Sequence, residues 1–222
     1  MSKQNENNFP PTYGYFATPV YRVLAGHKGH LNELKKLLLS KENDEFRHPN
    51  SPQKSHPAVF ESRFDLFSWP DQQIGLLKSN VYTHLMQYLR DTNGFDENAL
   101  KKVQFTSESW YHVTRRGGYF QAHTHPLASV SVIYCVDPGD ELIKNEFESG
   151  HVMFADPRFN ASMYVDPANN SMLRPYSFDG IRFRLQKDEI CIFPSYLQHS
   201  VEPYSGEQPR ITVAANFSFS FK

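Results

Sequence analysis

The stretch YFQAHTHPLASVSVIYCV, residues 119–136, holds two β-rich runs joined by a turn at Pro126, and it decides the fold class. β-branched and aromatic residues recur at every second position in these runs, which is typical of strands. The sequence after residue 102 contains six more such runs, separated by Gly, Pro and Asp: 103–114, 151–154, 181–186, 189–193, 198–203 and 209–221. Eight short strands without crossover helices predict a mainly β protein, an antiparallel sandwich or barrel such as a jelly roll.

The sequence before this region has a helical character. Residues 16–26 predict a strand, and Leu31, Leu34 and Leu38 within residues 31–40 share one helical face. Residues 41–60 are rich in Pro and polar side chains and predict a loop. A second helix is predicted from Pro70, with apolar residues at steps of three and four, and DTNG (91–94) ends it.

These patterns indicate one folded domain over residues 16–222. Its helical N-terminal part, residues 16–101, is expected to pack on a jelly-roll core formed by residues 102–222. Residues 1–15 are polar at first, and we expect them to be flexible. Residues 156–180 form a long polar loop, which is a candidate lid because long ordered loops on a barrel usually carry function.

Composition excludes several classes of partner. The 23 Lys and Arg against 24 Asp and Glu give a net charge of −1, so no basic excess is present for nucleic acid or a membrane surface. No apolar stretch approaches the roughly 20 residues of a membrane helix, and the N-terminal residues lack the features of a signal peptide. We therefore expect a cytoplasmic protein in which Cys135 and Cys191 are buried thiols rather than a disulfide.

Three of the ten histidines occur in positions that suggest a metal site. His123 and His125 are two residues apart at the end of a predicted strand, so their side chains point to the same face. His199 opens a later strand of the same predicted barrel. Neutral imidazole binds iron, zinc, copper and nickel, and three such ligands on one side suit a non-haem metal centre. The alternative is an ordinary surface pair and a structural histidine.

The last predicted strand carries a second candidate site. Arg210 and Thr212 share its more polar face with Ala214, Asn216 and Ser218. This face either is exposed to water at the edge of a sheet or lines a pocket that also contains His199. In a pocket, a guanidinium with a hydroxyl two residues further on would bind a carboxylate through charge-assisted hydrogen bonds.

Four segments together resemble a known family. The motifs H-x-H-P, D-P-R, F-P-S-x-L-x-H-x-V and R-I-x-x-A-x-N occur in order in residues 117–136, 154–158, 188–206 and 209–217. With them, most of the chain resembles a family of 2-oxoglutarate/Fe(II)-dependent oxygenases of bacteria and phages, within the double-stranded β-helix superfamily. The resemblance implies a jelly-roll or cupin-like double-stranded β-helix with N-terminal helices packed on it.

The same resemblance implies roles for individual residues. His123 and His199 match the first and the distal metal ligands of the family. Arg210 and Thr212 match the pair that holds the distal carboxylate of 2-oxoglutarate. Tyr134, on the neighbouring strand, is a candidate to hydrogen-bond the same carboxylate, and packing in the core is the alternative.

The third metal ligand is a departure from the superfamily pattern. Most members of the superfamily have Asp or Glu two residues after the first histidine, where this sequence has His125. A neutral ligand leaves an Fe(II) site one unit more positive. We expect His125 to be the third ligand, with Asp156 of the D-P-R motif as the alternative.

The resemblance implies an enzyme that uses Fe(II), 2-oxoglutarate and O₂, releases succinate and CO₂, and hydroxylates a small molecule or an amino-acid or peptide substrate. One alternative is a three-histidine jelly-roll enzyme that does not use 2-oxoglutarate. The other is a non-catalytic jelly-roll binding protein. A homodimer is compatible with the pattern, although nothing in the sequence requires one.

Overall fold

The computed structural model describes residues 15–26, 28–49, 57–140, 148–158, 166–174, 176–178 and 180–222. The segment predicted to be flexible, residues 1–15, lies outside these ranges apart from Tyr15. Part of the candidate lid, residues 156–180, also lies outside them, and its role stays a prediction.

The described residues contain ten strands and three α-helices. In chain order, the first five strands and the three helices are β1 (Tyr21–Leu24), α1 (Leu31–Ser40), β2 (Val59–Glu61), α2 (Gln72–Asn93), α3 (Glu97–Leu100), β3 (Val103–Thr114), β4 (Phe120–His123) and β5 (Val130–Asp137). The remaining strands are β6 (Val152–Phe154), β7 (Ile181–Phe183), β8 (Glu189–Pro194), β9 (His199–Val201) and β10 (Arg210–Phe221).

The strands form two antiparallel sheets. The larger sheet has the order β1-β8-β5-β10-β3-β2, and the smaller one has the order β4-β9-β6-β7. All eight strands predicted after residue 102 are present, and together they form the expected jelly roll. Consecutive strands alternate between the sheets in several places, which is why residues far apart in sequence meet in the space between the sheets.

The N-terminal part contributes more to the sheets than the sequence suggested. β1 lies within the strand predicted over residues 16–26 and pairs with β8. β2, by contrast, begins in the region that we predicted to be a loop. Val59–Glu61 is only three residues long and follows a Pro-rich segment, so its own pattern carries no strand signal. The edge of β3 supplies the hydrogen-bonding partner that makes these residues a strand.

Both predicted helices bury the faces that their periodicity indicated. Three of the five leucines of α1 (Leu31, Leu34 and Leu38) have no exposed surface, and neither do Ile74, Leu77, Val81 and Leu85 of α2. Full burial of one such side chain contributes about 1.5–3 kcal/mol. Gly94 ends α2 in the left-handed conformation, with φ of 66°, as the DTNG signal predicted. The helices cover one face of the larger sheet.

No helix in the part of the chain that the structure describes is long and apolar enough to cross a lipid bilayer.

The other face of the larger sheet is turned towards the smaller sheet. Alternation along β10 sends Ile211, Val213 and Ala215 into the helix-covered core, whereas Arg210 and Thr212 face the space between the sheets. The polar face of this strand therefore lines a cavity and is not an edge exposed to water. This arrangement gives the candidate site its position.

The two cysteines confirm the expectation of buried thiols. Cys135 and Cys191 have no exposed surface and form no disulfide. Burial raises the pKa of the Cys135 thiol to about 12, and it raises that of Cys191 as well. Because the thiolate is the reactive form, we expect neither thiol of the folded protein to react with iodoacetamide at pH 8. Mass spectrometry should find both modified only after unfolding, and rapid labelling of the native protein would contradict this.

Candidate metal and co-substrate site

The three histidines singled out by the sequence lie together. His123 ends β4, His199 begins β9, and the two are register partners in the smaller sheet. Their ring centroids are 4.3 Å apart, and the ring of His125 lies 5.1 Å from each. One ring nitrogen from each residue lies within 4.8 Å of the others. This group is the only one of its kind among the described His, Cys, Asp and Glu residues.

Hydrogen bonds orient two of these rings. Nδ1 of His123 lies 2.7 Å from the carbonyl oxygen of Gln121, and Nδ1 of His199 lies 3.0 Å from that of Leu197. A carbonyl oxygen only accepts, so each ring donates from Nδ1 and carries its lone pair on Nε2. Histidines that bind metals commonly have this arrangement, because it sets both the tautomer and the direction of the ring.

His125 is positioned by its backbone and by a neighbouring indole. Its N–H donates to the carbonyl oxygen of Ser195 at 3.0 Å, which ties the turn after β4 to the turn after β8. The ring lies 6.0 Å from that of Trp110. Three imidazoles on one side of a cavity fit a divalent transition metal such as Fe(II), since the donors converge and the cavity leaves the opposite side open.

Asp156, the alternative third ligand, lies elsewhere. Its carboxylate binds Arg158 through Oδ1 and Oδ2, and Oδ1 also accepts from the Arg158 backbone N–H at 2.8 Å. These hydrogen bonds hold the pKa of the Asp156 carboxyl below its ordinary value. The residue lines a different cavity and is not part of the histidine group. The D-P-R motif therefore forms a local ion pair, and the structure does not bring Asp156 together with the three histidines.

Arg210 and Thr212 line the same cavity as the three histidines. The cavity has a volume of about 230 Å³. Arg210 is 2% exposed, and burial lowers the pKa of its guanidinium. The groups that act electrostatically on it are Cys135, Arg184 and Tyr204, and none of them is a carboxylate. Within the described ranges, Arg210 is thus a buried cation without an anionic partner.

Tyr134 does not belong to this cavity. Alternation along β5 places Ser131 and Ile133 at the cavity wall and turns Tyr134 into the core beneath the helices. Its hydroxyl donates to Oδ1 of Asp188 at 2.7 Å, and burial raises its pKa. The structure thus places Tyr134 in the core, as its alternative predicted, and does not bring it together with Arg210 and Thr212 in the cavity wall.

A conservative substitution separates these two roles. Tyr134→Phe removes one hydrogen bond from a buried carboxylate, so we expect the free energy of unfolding to fall by about 1–3 kcal/mol. The affinity for 2-oxoglutarate should not change, because the residue faces away from the cavity. Urea denaturation measures the first quantity and equilibrium binding the second. A selective loss of affinity at unchanged stability would contradict the assignment.

A third set of polar residues, Glu61, Trp110 and His112, lines the cavity wall. The sequence did not indicate a role for Glu61 or His112. Nε2 of His112 lies 3.0 Å from Oε2 of Glu61 and 3.0 Å from the indole Nε1 of Trp110. Trp110 and His112 are two residues apart on β3, and this spacing could have indicated that both face the cavity. Their register partners on β10 are Ala214 and Thr212, which line the cavity as well.

A jelly roll in which three imidazoles and a buried arginine face one cavity defines a class of protein, the non-haem metal enzymes with an anionic co-substrate. Comparison with known proteins gives the family. A sequence model described as "Putative 2OG-Fe(II) oxygenase" matches residues 108–216. This segment contains all three histidines, Arg210 and Thr212. No curated protein matches the chain significantly.

Solved structures show the same fold at low sequence identity. A prolyl-4-hydroxylase from Pseudomonas putida has a TM-score of 0.60 and 10% identity, with 90% of this chain and 92% of that chain covered. A Trichoplax adhaerens prolyl hydroxylase, in complex with a hypoxia inducible factor oxygen degradation domain peptide fragment, has a TM-score of 0.57, 9% identity, and coverages of 89% and 82%. HygX from Streptomyces hygroscopicus, with nickel and 2-oxoglutarate bound, has a TM-score of 0.51 and 10% identity, with 90% of this chain and 83% of that chain covered.

Over residues 108–216, the segment that holds the site, the chain matches the 2OG-Fe(II) oxygenase family. It is a non-haem oxygenase that depends on Fe(II), 2-oxoglutarate and O₂, and the histidine group of the cavity fits the metal.

Proposed function

We propose that this oxygenase is a dioxygenase that hydroxylates a small molecule or an amino-acid or peptide substrate and releases succinate and CO₂. One observation carries the proposal: three converging imidazoles and a buried, uncompensated arginine line the same cavity. Two of the similar structures are prolyl hydroxylases, which supports hydroxylation as the reaction type.

His123, His125 and His199 would hold Fe(II) through their ring nitrogens. The bound metal would supply the single centre at which the keto acid and O₂ react together, which couples oxidative decarboxylation to oxidation of the substrate. A set of three neutral ligands gives this centre one more positive charge than the common set of two histidines and a carboxylate. Binding of a dianionic keto acid offsets that charge.

Arg210 would bind the distal carboxylate of 2-oxoglutarate, with the Thr212 hydroxyl beside it. Charge-assisted hydrogen bonds from a guanidinium are strong where water is excluded, and Arg210 is 2% exposed. The co-substrate then replaces the missing anionic partner of the guanidinium. This residue therefore orients the keto acid so that its other end faces the histidines.

Apolar side chains close the cavity around the co-substrate. Ile133 comes from the larger sheet, Val152 and Val201 come from the smaller sheet, and Phe193 of β8 packs 4.9 Å from the His199 ring. These side chains keep water away from the carboxylate-binding end, which strengthens the electrostatic interaction there. They also separate the metal site from reductants in solution.

Formation of succinate tests the proposal. Fe(II)-loaded protein with 2-oxoglutarate and O₂ should form succinate and CO₂ slowly even without a primary substrate, and Zn(II)-loaded protein should form none. Absence of succinate in the Fe(II) sample would overturn the proposal. Metal analysis separates the alternatives: a three-histidine enzyme without 2-oxoglutarate would bind metal but no keto acid, and a non-catalytic binding protein would bind neither.

A further inference from the structure

We propose that the cavity selects a substrate with a primary ammonium or guanidinium group and that Glu61 binds this group. The inference rests on the proposed function, because it names the substrate class of the same site. It is carried by a buried carboxylate oxygen that has no donor among the described residues, by the aromatic side chains around it, and by the charges of the cavity.

Glu61 is held in an unusual environment for a carboxylate. β2 pairs with β3 so that Glu61 lies opposite His112, and its side chain turns into the cavity wall with 4% exposure. Oε2 is bound to His112, but Oε1 has no hydrogen-bond partner in the described part of the chain. A buried carboxylate oxygen without a donor costs free energy that a bound N–H group would recover.

His112 and Trp110 prevent Glu61 from turning away. A single atom, Nε2 of His112, lies within hydrogen-bonding distance of both the Glu61 carboxylate and the Trp110 indole. The indole N–H of Trp110 only donates, so Nε2 of His112 either accepts from it or, when protonated, donates to Oε2 of Glu61. In both cases Oε1 of Glu61 gains no donor from His112 or Trp110. The network therefore fixes the carboxylate and leaves one oxygen for a ligand.

Aromatic rings line the cavity next to this carboxylate. The rings of Phe64 and Trp110 are 4.6 Å apart, and Phe120 packs 4.6 Å from the ring of His112. All three aromatic residues line the cavity. Because the face of an aromatic ring attracts cations, such walls beside a carboxylate suit an ammonium or a guanidinium group with an apolar stem.

The charges of the cavity favour the same class of ligand. Its charged lining residues are Glu61, Glu108 and Arg210. Fe(II) and the dianion of 2-oxoglutarate carry equal and opposite charges, and Arg210 belongs to the co-substrate end. The loaded cavity is left with an excess of negative charge on β2 and β3. Electrostatic complementarity therefore favours cations and disfavours acidic substrates.

Binding of a matched pair of probes tests the inference. We would load the protein with Zn(II) and measure binding of 1,5-diaminopentane and of 1,5-pentanediol by ligand-observed NMR, with and without 2-oxoglutarate. The diamine should bind about tenfold more tightly than the neutral diol, as expected for a charge-assisted hydrogen bond. Glu61→Gln should remove this preference, because the amide keeps the shape of the side chain but not its charge.

Glu33→Gln is the control, because Glu33 is an exposed residue of α1 outside the cavity, and this variant should keep the preference. Circular dichroism checks the fold of each variant. Should Glu61→Gln not fold, Glu108→Gln at the exposed rim should weaken diamine binding about threefold. Equal binding of the two probes, absence of binding by the diamine, or a preference that survives these substitutions would overturn the inference. Binding of 2-oxoglutarate in the same samples reports separately on the proposed function.

Discussion

Replacing Arg210 by methionine is expected to abolish binding of 2-oxoglutarate while leaving the metal site intact. Arg210 is the buried cation that faces the cavity, and methionine keeps the length of its apolar stem without the charge. Loss of a charge-assisted, water-excluded pair should weaken the affinity for 2-oxoglutarate by at least about a hundredfold. Calorimetric titration of the Zn(II)-loaded protein with 2-oxoglutarate measures this effect, and metal analysis confirms that the histidines still bind.

The same substitution should not destabilise the protein that lacks 2-oxoglutarate. A buried charge without an ion-pair partner costs desolvation energy, so removing it is expected to leave the melting temperature equal or higher. Arg116→Met is the matched control, since Arg116 is exposed and pairs with Glu207 at the surface. This control should change neither quantity. Binding of 2-oxoglutarate within a few fold of wild type, or a loss of several kcal/mol of stability, would show that Arg210 serves the fold instead.

Replacing His199 by alanine is expected to have the second large effect, on the metal. His199 is 4% exposed, and its Nδ1 hydrogen bond aims Nε2 at the other two rings. Removal of one of three ligands should weaken Fe(II) binding by at least about a hundredfold, more than the loss of an outer-shell partner does. Titration with Fe(II) under anaerobic conditions measures this affinity.

Two further variants show which residues form the ligand set. His125→Ala should resemble His199→Ala, whereas Asp156→Ala should keep the affinity of the wild type, because Asp156 pairs with Arg158 in another cavity. His84→Ala is the control for loss of an imidazole, since His84 lies on α2 and hydrogen-bonds Tyr21. Unchanged affinity in His125→Ala would contradict the three-histidine centre.

The strands of the jelly roll could be predicted from the sequence because their periodicity is local. Each run alternates over at least three residues, and the turns between runs carry Gly, Pro or Asp. β2 could not be predicted in this way, since three residues at an edge become a strand only through their partner strand. The expected helices needed no such partner, because their apolar steps span ten residues or more.

The site divides in the same way. Arg210 and Thr212 are two residues apart on β10, so the face that they share follows from strand geometry. His123 and His125 are also two residues apart, but β4 ends at His123, and His125 is held in the following turn by its backbone hydrogen bond to Ser195. For Tyr134 the strand was predicted correctly, but the sequence does not show which face of β5 lines the cavity. That depends on the neighbouring strands, and the structure turns Tyr134 to the opposite face. Glu61 and His112 are 51 residues apart and meet only through the register of β2 and β3.

Asp156 illustrates a different limit. An aspartate in the D-P-R motif of a sequence with three candidate histidines suggests a metal ligand. Arg158, two residues further on, offers the carboxylate a nearer partner. Sequence spacing alone does not decide between the two, because it does not give the direction of the Asp156 side chain. The structure decides it through the bidentate contact between Asp156 and Arg158.

The centre formed by three histidines and Arg210 is tested most directly by the visible spectrum of the Fe(II)-loaded protein when 2-oxoglutarate is added without oxygen. We predict a weak metal-to-ligand charge-transfer band that saturates at one keto acid per chain. Arg210→Met should lack the band because it does not bind 2-oxoglutarate, and His199→Ala should lack it because it does not hold the metal. Arg116→Met should retain it. Full binding of Fe(II) by the wild type with no band at saturating 2-oxoglutarate would contradict a centre in which three histidines and Arg210 act on one co-substrate.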